Sequence, residues 1–317
     1  MSPIAEARKM RKDIDSVIKV PNRFLDAGWS DYRLPSPRHM IYIWTTSMAD
    51  EDLQRIMQIP RDNNWDQIAI PGVSGRDALT GRDTKHYIAN TLPWFQFMQG
   101  HLPNYPEEIL AANIEMIANQ LRKMHSKTGD PRSWESYDPA TADVEVGFDL
   151  RVDGNQIHAW QEFNPVYFEG LAQMTMGAPM HISHGGLQHG KVRLFDGLKQ
   201  RPGLPEDVGA IVDNLSATSI SMQVVNLSKD HNRQLVIQAG SFGEHRFVSV
   251  NVSTESGESQ THMIDGKWFA IDLAPGVGAT LSFAVDRYVN TPTYETPWQN
   301  SSDWDPVITG RPAENFR

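Results

Sequence analysis

The chain has 317 residues, 39% of them hydrophobic, with 29 Lys and Arg against 39 Asp and Glu for a net charge of −10. This composition fits a soluble globular protein, and the acidic balance argues against nucleic acid as main partner, since phosphate recognition needs a concentrated positive surface. No stretch approaches the ~20 apolar residues of a membrane span, and a cysteine count of 0 excludes disulfides, thiolate metal sites and cysteine nucleophiles.

The opening segment "MSPIAEARKMRKDID" lacks the apolar core of a secretory signal, so the expected setting is cytoplasmic. "SPIAEARKMRKDIDSVIKV" is compatible with a helix. In "TSMADEDLQRIMQI", Ser47 and Asp50 make an S-x-x-D start, and Leu53, Ile56 and Met57 follow on one face. The Gly/Asp-rich loop at 70–86 lacks the spacing of a phosphate loop. "NYPEEILAANIEMIANQLRKMH" predicts a helix over 104–125. Pro106, Glu107 and Glu108 suit its first turn, and Lys123 and His125 suit its last. Ile109, Leu110, Ile114, Ile117, Leu121 and Met124 are expected to form one apolar stripe.

Residues 146–160 suggest a hairpin turning at Asp153-Gly154. A further helix runs through Val166, Phe168, Leu171, Met174 and Met176 until Gly177 and Pro179 end it. Beyond residue 204 the pattern changes. "LPEDVGAIVDNL" reads as a short capped helix, and strand-length runs of period near two follow at 219–227, 233–239, 246–252, 267–273 and 279–285. The closing stretch is expected to pack over the body through Tyr294, Trp298 and Trp304.

The expected fold class is therefore α+β: a mainly helical N-terminal body followed by a C-terminal antiparallel β-sandwich. The expected domains are 1–204 helical, 205–290 β-sandwich and 291–317 an extended aromatic tail. A helical body feeding a β-sandwich resembles the end of the (α/α)-toroid carbohydrate-active enzymes. The helical part here is short for a full ring, which implies an incomplete toroid or a partner chain that completes it. The segments "NPVYFEGLAQMTMGAPMHISHGGLQHGKVRLFD", "RPGLPEDV" and "QAGSFGEHRF" are also similar to uncharacterised bacterial proteins of that build. No catalytic residue carries over from either resemblance.

Three constellations carry candidate chemistry. In "QIHAWQEFNP" an extended backbone would put His158, Trp160, Glu162 and Asn164 on one face, where an indole, a carboxylate and an amide suit a sugar. Capping of the next helix is the alternative role for Asn164. In "GAPMHISHGGLQHGK", His181, His184 and His189 surround Gly185-Gly186. The glycines break a helix and no zinc motif is formed, so a cleft-lining loop is expected ahead of a metal site completed by Asp196 or Glu162. In "GSFGEHRF", Glu244 and His245 sit between predicted strands, as a substrate-facing pair or as a solvated hairpin.

The expected function is a carbohydrate-active enzyme, glycoside hydrolase-like or lyase-like, with Glu162, Asp196 and His184 in catalytic roles. His158, Trp160, Asn164, His181, His189, Glu244 and His245 are expected to bind a carbohydrate or another polar small molecule. No cofactor and no metal is assigned. The alternatives are a noncatalytic subunit or assembly protein of a larger complex and a His-ligated metalloprotein, and the expected partner chain is a second copy or one that completes the helical domain.

Overall fold

The computed structural model describes residues 20–21, 32–33, 37–62, 65–68, 90–125, 165–179, 186–254, 257–299 and 307–309. Its helices are α1 (Pro37–Ser47), α2 (Asp50–Met57), α3 (Thr91–Met98), α4 (Tyr105–His125), α5 (Glu169–Met176) and α6 (Gly186–His189). Its strands are β1 (Val20–Pro21), β2 (Tyr32–Arg33), β3 (Val192–Asp196), β4 (Arg201–Pro202), β5 (Val208–Leu215), β6 (Ser219–Asn226), β7 (Arg233–Ala239), β8 (Arg246–Thr254), β9 (Ser259–Gly266), β10 (Trp268–Leu273), β11 (Gly278–Asp286) and β12 (Val307–Thr309). The chain divides into two compact units, one of residues 1–67, 91–103 and 171–317, the other of residues 68–90 and 104–170.

This overturns the expected fold class. Helix and strand take similar shares of the described structure, and among the described helices only α4, with 21 residues, is long. The others have 4 to 11 residues, too short for the paired helices of an (α/α)-toroid.

In the first unit β12, β10, β7, β3 and β4 form one sheet, antiparallel except for the parallel pair β10–β12. The second sheet is antiparallel throughout, in the order β5-β6-β11-β8-β9. Strand β11 shows why the second sheet forms: Ala279, Leu281, Phe283 and Val285 are buried, while Thr280, Ser282 and Ala284 alternate with them in solvent. Phe283 stacks on Phe247 of the same sheet at 4.3 Å and meets Phe269 of the other sheet edge-on at 5.5 Å. These rings join the two inner faces. Strand β7 is central and buried from Leu235 to Ala239. Its other face, with Phe195, Val236 and Ala270, is covered by Trp268 and Trp298.

The strands over 219–285 agree with their predicted spans to within a residue or two, with β9 added between them. The capped helix expected at 204–215 is instead a turn and strand β5. Val208 N–H closes the turn on the Pro205 carbonyl at 3.3 Å, after which Val208, Ala210 and Val212 are buried at period two. Pro-Glu-Asp imitates a helix start, but the alternation after it decides the structure.

The helical part of this unit is small and dense. All eight residues of α3 are buried, and Phe95 receives Trp44 of α1 edge-on at 5.4 Å and Trp65 at 6.1 Å. The Ser47 hydroxyl does not cap α2 as S-x-x-D implied. It donates to Asp52 at 2.5 Å and accepts from Ala49 N–H at 3.2 Å.

In the second unit α4 spans its predicted range, with a different buried face. Ile109, Ala112, Asn113 and Met116 are buried, while Ile114, Leu121 and Met124 are 66%, 41% and 41% exposed.

Candidate functional site

The chemistry-bearing side chains of the first unit gather where the α1 C-terminus meets the strand ends. Helices leave their last carbonyls without intrahelical partners. Here Thr45 O accepts from the Lys191 ammonium and Thr46 O from the Tyr288 hydroxyl. A positive charge is favourable at this negative end of the helix dipole. Lys191, just before β3, is held by its own backbone: its N–H donates to Met176 O at 2.7 Å and its carbonyl accepts from Gly240 N–H at 2.8 Å.

The β7–β8 loop supplies Glu244 and His245, and both are buried. The solvated-hairpin alternative is thereby overturned. Two glycines permit this burial. A Cβ on Gly240, which has φ +84°, would lie 2.4 Å from Glu244 Cδ, and one on Gly190 would lie 2.3 Å from Ser241 Oγ. Glu244 Oε2 accepts from Phe242 N–H at 2.7 Å. Asn290 fastens the loop from outside by donating from Nδ2 to Gly243 O and His245 O at 3.1 and 2.7 Å. Arg287 donates to the carbonyls of Ser216, Ala217 and Ser219.

A backbone N–H fixes the tautomer of His245, and two hydroxyls hold Nδ1 of His189. His245 Nδ1 accepts from Tyr288 N–H at 3.1 Å, so the neutral ring carries its proton on Nε2. That Nε2 is buried and has no hydrogen-bond partner among the described residues, as is also true of Arg287 Nη1. The nearest carboxylate oxygen, Glu244 Oε1, is 3.8 Å away, beyond hydrogen-bond range. For His189, Nδ1 lies 3.0 Å from the Thr45 hydroxyl and 3.2 Å from that of Thr46. Each hydroxyl already donates its one proton to Tyr42 O, at 3.0 and 2.8 Å. With both hydroxyl protons on Tyr42 O, Nδ1 is the donor and Nε2 keeps its lone pair.

Burial sets the charge states. It lowers His189 to about 4, helped by Lys191, and His245 to about 2, helped by Arg287 and then Lys191. Both imidazoles are thus neutral at pH 7. Burial also brings Lys191 down to about 7, with Arg287 acting in the same direction and Glu244 against it. His189 is only partly buried, and its ring lies 5.8 Å from that of Tyr42. Tyr288, 48% exposed, stands edge-on to His245 at 4.6 Å. The arrangement is a half-open rim of Tyr42, Thr46, His189 and Tyr288 beside the buried Lys191, Glu244 and His245 and the half-buried Arg287.

Of the residues expected to act, His189, Glu244 and His245 belong to this cluster. Asp196 is buried at the end of β3, where it accepts from Lys199 N–H at 3.1 Å and pairs with Arg201 at 3.3 Å, holding the turn into β4. His158, Trp160, Glu162, Asn164, His181 and His184 lie outside the described residues. Lys191, Arg287, Tyr288, Tyr42, Thr45 and Thr46 were not anticipated. The one local hint was a lysine between Gly190 and the apolar β3. Among the described residues no group of three His, Asp or Glu side chains is placed to hold a metal ion.

The second unit contains another buried carboxylate, Glu169. It accepts from Asn90 N–H at 2.5 Å, Asn90 Nδ2 at 3.0 Å and the Tyr167 hydroxyl at 3.3 Å. Burial and the carboxylate beside it push the Tyr167 phenol well above its ordinary value.

Among the described residues no helix is long and apolar enough to cross a membrane. No curated protein matches the chain. A family model does match, over residues 2–172, a stretch that includes Tyr42, Thr45 and Thr46 of the cluster and stops short of His189, Lys191, Glu244, His245 and Arg287. The chain belongs to that family, which is described as a domain of unknown function, DUF8034.

Proposed function

We propose that this protein is a carbohydrate-active enzyme of lyase-like, acid–base character, with His189 Nε2 as the group that meets the substrate. One observation carries the reading: a partly exposed imidazole, neutral at pH 7 and held at Nδ1 by Thr45 and Thr46, an arrangement that leaves Nε2 to meet a substrate. A neutral imidazole accepts a proton without prior deprotonation. The Tyr42 and Tyr288 rings offer faces on which a sugar ring can rest.

Elimination suits this cluster better than hydrolysis. Glycoside hydrolysis uses two carboxylates flanking the scissile bond, and the cluster holds one, Glu244, which is buried. In an elimination His189 Nε2 takes the carbon-bound proton, the C–H bonding pair forms the new C=C bond, and the glycosidic oxygen leaves with its bonding pair and takes a proton from water or from the imidazolium just formed. A cysteine-free chain is consistent with a cytoplasmic setting.

The test is turnover by the full chain across a panel of polysaccharides with and without uronic acids, read by the ultraviolet absorbance of the new double bond. His189→Ala is expected to lower turnover by about 100-fold or more with folding retained. Equal turnover by His189→Ala and wild type would remove the assignment. A second reading, a noncatalytic assembly protein, draws on the capping of α1 by Lys191 and Tyr288, which gives the cluster a structural role of its own. Under it no panel member is consumed and His189→Ala alters stability alone.

A further inference from the structure

Helix α4 is apolar on two faces, and one of them is buried. The buried face runs through Ile109, Ala112, Asn113 and Met116. The other runs through Ala111, Ile114, Ala118 and Leu121, at alternating steps of three and four residues, with Met124 beside it. Ala111, Ile114, Leu121 and Met124 are exposed, Ile114 to 66%. Steps of three and four are the seam spacing of two helices packed along their length. The alanines that alternate with the larger side chains leave holes for the knobs of a facing helix. From Ala111 to Met124 the seam is about 20 Å long at 1.5 Å per residue. A contiguous apolar stripe of that kind on a surface marks an interaction site rather than scattered solvent-facing residues.

The charges along α4 select the occupant. Glu107, Glu108 and Glu115 occupy its N-terminal half, and Arg122 and His125 its C-terminal end. All five are exposed. Two copies of this helix placed antiparallel set the acidic half of each against the basic end of the other, and a parallel pair would set like charges together. The surface is thus complementary to itself under a two-fold rotation, the commonest symmetry of soluble homodimers.

We infer that α4 is a homodimerisation helix, pairing antiparallel with the same helix of a second copy through Ala111, Ile114, Ala118 and Leu121. The two-fold axis passes near the middle of the seam, close to Ala118, so Ala118 approaches its symmetry mate and Ala111 lies far from its own. The inference is independent of the His189 cluster, which lies in the other unit.

The full chain is measured by sedimentation and light scattering, and its freedom from cysteine makes cross-linking clean. The expected mass is twice the 35.7 kDa of one chain. Leu121→Lys and Ile114→Lys are expected to weaken association by about tenfold or more. Oxidised Ala118→Cys is expected to run as a disulfide-linked dimer, and Ala111→Cys is not. A wild-type protein that is monomeric over the whole concentration range overturns the proposal, whether the seam is then covered by another stretch of the same chain or by a different protein. A dimer that both lysine variants leave unchanged overturns it too. Cross-linking of Ala111→Cys as efficient as that of Ala118→Cys overturns the antiparallel arrangement. If the lysine variants fail to fold, the two cysteine variants decide the matter alone, since alanine to cysteine is a small change at a partly open surface.

Discussion

Two buried carboxylates, one in each unit, show how differently a fold can treat the same group. Glu169 is met by a backbone N–H, an amide and a phenol, so its charge is answered by hydrogen bonds at fixed positions. Glu244 accepts one backbone N–H and shares its surroundings with a lysine, an arginine and a histidine, two of which keep donor atoms unused among the described residues. Unsatisfied buried donors cost stability, so native proteins rarely keep them without use. The first arrangement ties a structure together. The second sets one backbone hydrogen bond and three basic side chains about a single carboxylate.

Four perturbations break or sharpen that contrast. The largest effect is expected from Glu169→Ala, which leaves Asn90 and Tyr167 with buried donors and should cost about 3 kcal/mol or more in chemical denaturation. The side chain of Gly240→Ala would enter the Glu244 carboxyl group at a backbone φ of +84°. It should cost about 2 kcal/mol, against about 1 kcal/mol for Gly276→Ala, where φ is +69° and nothing stands within 4 Å. If the two glycine variants prove equally stable, Glu244 is not held as described.

The third perturbation is pH. Lys191 titrates at about 7 in the fold and near 10.5 when unfolded, so between those values the unfolded chain binds more protons. Stability therefore rises with pH across that window, and the gain is lost as pH falls through about 7. Wild type should gain roughly 2 kcal/mol between pH 7 and 9, and Lys191→Met should show no such gain. The same sign applies to the histidines. Their contribution is complete above pH 6.5 and is lost on acidification toward about 4 for His189 and about 2 for His245. The smallest change is expected from Tyr288→Phe, which frees Thr46 O at the end of α1 and should cost about 1 kcal/mol. An effect on turnover without that loss of stability would favour a role at the rim over a role in capping.

What the sequence could reveal depended on how local each signal was. Strands β6, β8 and β11 announce themselves by alternation, because one residue in two faces a core, and β7 and β10 by short apolar runs. Strand β9 does not: Ser259, Gln260, Thr261 and Met263 are all exposed, so an edge strand leaves no period to read. Helix α3 was hidden for the opposite reason, since burial on every side leaves no stripe. The stripe of α4 was found, but it merged two faces that the fold treats separately. At the site, His189, Glu244 and His245 stood out as residue types beside glycine. Lys191, Arg287 and Tyr288 join them only through strand pairing over some fifty to a hundred residues, which no local pattern encodes. Asp196 was conspicuous as an acid at a strand end, and that position is explained by its turn.

The opposite tautomers of His189 and His245 are the feature on which the functional reading stands. Nitrogen-15 spectra of the histidine rings, assigned by His189→Gln and His245→Gln, measure it directly. At pH 7 both rings should be neutral, with the proton on Nδ1 of His189 and on Nε2 of His245, and His189 should remain neutral down to pH 5. A His189 ring protonated at pH 6, or carrying its proton on Nε2, would contradict the account.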